Sequence, residues 1–204
     1  MATVRPRPQL GDPDPRPQLG PALDKLLDSL SREIGALAHI DASTLLVVHG
    51  QARGPARASI RSLVEGVATA RVVVRGQRRQ FELTLRPPWF RHGGVEDRLR
   101  TLVHELWHIG ARGTGALDPA HRHHDASHRA QAQQVARLCR QALRQLDPLL
   151  LAPLGHDGEL LLPCWLERPV LTGEAVRRSR YGDRDLFLQP VRMITTRSAR
   201  TVWW

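Results

Sequence analysis

The sequence predicts an α+β domain, and three observations predict it. Apolar residues recur at helical spacing in three separate stretches, a period-two run marks a strand, and glycine or proline punctuates the boundaries. The expected architecture is a small antiparallel or mixed sheet packed against an N-terminal helix, a central helix and a second long helix.

Residues 1–20 contain the repeat Arg5-Pro-Arg-Pro-Gln-Leu-Gly and Pro15-Arg-Pro-Gln-Leu-Gly. Alternating prolines remove backbone donors and favour a solvated chain, so a disordered tail is expected there, with a single domain over 21–204. From Pro21, Leu23, Leu26, Leu27, Leu30, Ile34 and Leu37 fall three or four apart and predict the first helix. Leu45-Leu-Val-Val48, closed by Gly50, reads as a buried strand, and 58–67 as a helix or turn. Arg71-Val-Val-Val-Arg75 and the alternating Phe81-Glu-Leu-Thr-Leu-Arg86 predict the two arms of a β-hairpin, the second half-buried and stopped by Pro87-Pro88. A helix follows over 95–109, ended by Gly110, then an irregular loop over 113–125. The next helix covers 126–146, with Val135, Leu138, Ala142 and Leu146 on one face and Pro148 as its stop. Short strands and loops are expected over 148–204.

Composition narrows the function classes. With 41% hydrophobic and 25% charged residues, the chain is neither wholly disordered nor a membrane bundle. No stretch has the length and apolarity of a membrane span or a signal-peptide core, and Cys139 and Cys164 make no disulfide framework, so a cytoplasmic protein is expected. The net charge of +10 is almost all arginine, Lys25 being the only lysine, and no four basic residues are consecutive. Such spread charge supports weak, non-specific attraction to nucleic acid and does not locate a site. The 10 histidines are more informative, because six of them lie between His104 and His128.

Two of those six belong to His104-Glu-Leu-Trp-His108, an H-E-x-x-H pattern on the predicted helix over 95–109. Residues four apart stand one turn above each other, so both imidazoles can reach one ion while Glu105 lies beside them without being a ligand. Chance would produce the pattern about 0.02 times in a chain of this composition. On the helical wheel Leu99, Leu102, Val103, Leu106 and Ile109 share one face, and His104 and His108 fall nearly opposite with Asp97 and Thr101.

A catalytic zinc takes three protein ligands and leaves a position for water. The third is sought in His121-Arg-His123-His124-Asp125-Ala-Ser-His128, at the start of the next helix. His124 is favoured because it precedes the N-cap region 125–127, where the backbone is fixed and the side chain free. His121 and His123 in the loop and His128 on the packed face remain alternatives, with Asp118 and Asp125 behind them.

His104-Glu-Leu-Trp-His108 followed by His124-Asp-Ala-Ser-His128 resembles the SprT-like and phage-type metallopeptidases of the zincin group, over about 80–147. The resemblance implies a zincin-like fold, a Zn²⁺ cofactor and a third zinc histidine in an H-G-x-x-aromatic element that opens the second helix. Here Asp125 replaces that glycine and His128 stands in the aromatic position, and no four-cysteine zinc ribbon follows.

The expectation is therefore a zinc-dependent peptidase acting on polypeptide, with Glu105 as general base and Tyr181, the only tyrosine, as a candidate oxyanion stabiliser. The strand at 81–86 is expected to pair with extended substrate. The alternative is a non-catalytic zinc-containing module of the same fold that binds nucleic acid or a protein partner. Cys164 reads as a structural cysteine rather than a zinc-covering thiolate.

Overall fold

The computed structural model describes residues 16–64, 71–91, 93–110, 115–121, 125–170 and 178–195, so the tail expected at the N-terminus lies mostly outside the described residues. Helix α1 (Leu19–Glu33) starts two residues before Pro21 and buries Leu19, Leu23, Leu26, Leu27 and Leu30. Each such leucine removed from water contributes roughly 1.5–3 kcal/mol, which is why its one-sided spacing suffices to seat the helix. Helices α2 (Pro87–Arg91), α3 (Val95–Trp107), α4 (Asp125–Gln145) and α5 (Pro148–Leu151) follow. Pro148 both stops α4 and opens α5, where Asp147 caps the Leu149 N–H at 2.8 Å.

Among the described residues eight strands form three small sheets, which together with the helices make the chain α+β. In the central sheet β5 (Phe81–Leu85) lies between β1 (Leu45–His49), parallel to it, and β2 (Ala58–Ser62), antiparallel. Strand β3 (Arg71–Val74) pairs antiparallel with β4 (Gln77–Arg78) and parallel with β7 (Arg180–Gly182). Strands β6 (Gly158–Trp165) and β8 (Leu186–Met193) pair over eight residues each. The turn between β3 and β4 holds both Arg75 and Gly76 at positive φ, 53° and 75°, the left-handed pair that a two-residue hairpin requires.

The two faces of the central sheet meet different layers. Leu45, Val47, Leu83 and Leu85 share the main core with α1, α3 and α4. On the other face Leu46 and Val48 join Leu63, Val72, Val74, Trp165 and Tyr181 in a second core.

Three expectations are corrected. The arms at 71–75 and 81–86 are not one hairpin: β3 turns onto the short β4, while β5 crosses into the central sheet. The stretch expected as helix or turn at 58–67 contains β2. Strand β5 is buried along its whole length rather than half-buried, because Glu82 and Thr84 face a layer carrying Trp165 and Arg168 instead of water. Among the described residues no helix is long and apolar enough to cross a membrane.

Candidate active site

Helix α3 presents the motif because its opposite face is committed to the core. Leu99, Leu102, Val103 and Leu106 are buried, and Glu96 and Asp97 in the first turn suit the positive end of the helix dipole. Arg98 fixes the N-terminal half. Only 1% exposed, it donates to the carbonyls of Trp89, Phe90, Leu154 and Ile194. At the other end His39 bonds the Ile109 carbonyl at 3.1 Å.

His104 and His108, the last of which caps the helix, stay half-buried with Nε2 atoms 3.3 Å apart and rings at 88° to each other. That separation is within reach of a hydrogen bond between the two imidazoles, and it also equals the about 3.3 Å between two nitrogen ligands at ~2.05 Å from one tetrahedral ion. Glu105, 8% exposed, turns instead toward β2, where the Ile60 N–H donates to its carboxylate. Burial raises its carboxyl to about 7, against the smaller opposing effects of that N–H and of the Arg86 charge. A carboxyl so placed exchanges its proton near neutral pH.

A cleft of about 630 Å³ opens beside His104 and Glu105, lined also by Thr101 from α3, Gln131 and Val135 from α4, and Arg57 and Ala58 at the start of β2; His108 is not part of its lining. The two helices run antiparallel across it. The Cys139 thiol sits 3.8 Å from the Glu96 carbonyl, and Gln131 shares the cleft with His104.

Among the described residues no third His, Cys, Asp or Glu joins His104 and His108 in a group able to hold a metal. His121 stacks on Trp107, ring centroids 4.6 Å apart, and its Nδ1 lies 3.6 Å from Asp118. His123 and His124 lie outside the described residues, as does the side chain of His128.

Tyr181 is not brought to the motif. It is 3% exposed in the second core, in edge contact with Trp165 and beneath the Arg178 guanidinium, on the face of the central sheet away from α3. Cys164 lies on β6 and lines a different cavity from the one holding His104. The substrate-pairing role expected of 81–86 is also excluded, since β5 has partners on both sides. The edge beside the motif is β2, which sequence reasoning missed. Ala58-Ser-Ile-Arg-Ser62 alternates, but with Ala58 and Ile60 as its only apolar residues the signal is short and weak.

No protein-family model, curated protein or solved structure matches the chain.

Proposed function

We propose that the chain is a zinc-dependent metallopeptidase of zincin-like fold. The observation that carries the reading is the convergence of the His104 and His108 Nε2 atoms at 3.3 Å, with His104 and the buried Glu105 on the wall of an open cleft. His104, His108 and a histidine near the start of α4 would hold the ion, with His124 favoured and His121, His123 and His128 the alternatives. Zinc, when bound, supplies Lewis-acid polarisation of a water and of the scissile carbonyl. Glu105 takes a proton on its carboxylate from the attacking water and returns it to the departing amine. Strand β2 has no strand on its outer side among the described residues, so extended polypeptide can pair there by backbone hydrogen bonds, which makes cleavage tolerant of sequence.

The second reading is a non-catalytic module that binds nucleic acid. It is favoured by one observation: Arg71 and Arg180 are register partners on β3 and β7, both exposed, a like-charge pairing that a polyanion would relieve. Replacing Glu105 by Gln separates the two. On the peptidase reading the variant keeps its metal and loses casein hydrolysis by roughly 10²–10⁴-fold. Equal inertness of both forms, with DNA retarded by both in a gel, would establish the binding module instead.

A further inference from the structure

On the face of the central sheet away from α3, a second cavity of about 230 Å³ opens where the parallel strands β1 and β5 end. The carboxyl ends of parallel strands are where open sheets collect ligands. His49, Gly50, Arg53, Arg86, Cys164 and Arg168 contribute to its lining. A single carboxylate reaches it, that of Glu82, and both of its oxygens are engaged. Arg61 Nη2 and Trp165 Nε1 donate to Oε2 at 2.7 and 2.9 Å, while Arg168 Nη2 and Nε and the Thr84 hydroxyl donate to Oε1 at 2.7, 3.0 and 2.9 Å. Two guanidiniums therefore share one negative charge.

Arg86 adds a third guanidinium that is 9% exposed. Its Nη2 donates to the Ser59 hydroxyl at 2.9 Å, and its Nε is buried without a hydrogen-bond partner. A cation so deeply buried is costly unless an opposing charge meets it. Among the described lining residues Glu82 is the only acid, and outside the lining the Arg86 charge also acts on the Glu105 carboxyl. Arg53 stands exposed at the mouth, on the loop that joins β1 to β2.

We propose that this cavity binds a phosphate group through Arg53, Arg86 and Arg168. Among the described lining residues three arginines stand against one glutamate, an excess of +2 that a phosphate dianion balances and a carboxylate only halves. The volume lies below the roughly 300–1,000 Å³ of drug-sized ligand sites, so the phosphate carries at most a small substituent. The same loop walls both cavities, with Arg53 in this one and Arg57 in the cleft of His104, and the Arg86 N–H holds the Arg57 carbonyl at 2.9 Å. An occupied site thus braces the wall of the cleft from behind.

The test is calorimetric titration of the full chain with inorganic phosphate and, in a second arm, O-phosphoserine. Both run in buffer of low chloride and in the presence of EDTA, so the outcome is independent of the metal reading. Saturable binding is expected. A tighter fit for O-phosphoserine assigns an esterified phosphate, and a tighter fit for inorganic phosphate assigns the free ion. Arg53→Ala, at an exposed position, and Arg86→Lys, which keeps the charge and loses the planar fork, should each weaken binding about tenfold with an unchanged circular dichroism spectrum. Should Arg86→Lys unfold, Arg53→Ala decides alone. The proposal is overturned if neither ligand binds at about 10 mM, or if Arg53→Ala binds as tightly as the parent chain.

Discussion

Glu82→Gln should destabilise the protein severely while changing almost no volume. The carboxylate is 0% exposed and accepts from Arg61, Arg168, Trp165 and Thr84, with donors on both oxygens. An amide must place its NH₂ group against one of those sets. Facing Arg61 and Trp165 it loses two bonds, and facing Arg168 and Thr84 it loses three. Breaking a buried ion pair from one side costs roughly 3–5 kcal/mol. The Arg61 and Arg168 side chains are 27% and 36% exposed and can recover some hydration, so the lower end, about 3 kcal/mol, is expected. For a chain of this length that is a fall in Tm of ~6–12 °C. The assay is urea unfolding followed by circular dichroism, repeated down a pH series. The arginine charges and bonds hold the Glu82 carboxyl below its ordinary value of 4.5, although burial alone would raise it. Its contribution is therefore complete above that ordinary value and is lost as pH falls through the lower folded-state pKa. The gap between parent and variant should be full at neutral pH and close in acid. A Tm change under about 2 °C at neutral pH, or a gap that widens in acid, refutes the reasoning.

Arg98→Met should leave the carbonyls of Trp89, Phe90, Leu154 and Ile194 without that donor; at ~1–3 kcal/mol for each buried acceptor left unsatisfied, a loss of at least 3 kcal/mol is expected in denaturant unfolding. Cys139 is 1% exposed and burial pushes its thiol up to about 11, so in the native protein a thiol reagent near pH 8 should label Cys164 first and reach Cys139 only on unfolding, as peptide mapping will show.

Helices α1, α3 and α4 were legible in the sequence because each buries one stripe against a single core, and a stripe of leucines three and four apart has no other use. The sheet was less legible. Alternation along β5 was visible, but alternation separates apolar from polar and cannot tell water from a polar second layer, so the strand read as half-buried when Glu82 is 0% exposed. Strand β2 was missed for a related reason. Its Ile60 meets the core around α3 while Arg61 reaches across to Glu82, and neither neighbour is written near it in the chain. The pairing of β3 with β7 depends on a chain return more than one hundred residues away, which no local pattern encodes. In the site, His104, Glu105 and His108 were readable because one helical turn sets their geometry. Tyr181 was a choice by residue type alone, and the second core claimed it. The Arg86 and Arg168 cavity gave no signal, since its members come from separate strands and loops.

Metal analysis of the purified full chain decides whether His104 and His108 share a zinc ion. After expression in zinc-supplied medium the protein should carry about one equivalent of zinc. His104→Ala and His108→Ala should each lose it, and His124→Ala should too if that residue is the third ligand. Zinc below about one-tenth of an equivalent in the parent chain, or zinc retained in full by both His104→Ala and His108→Ala, would contradict the account.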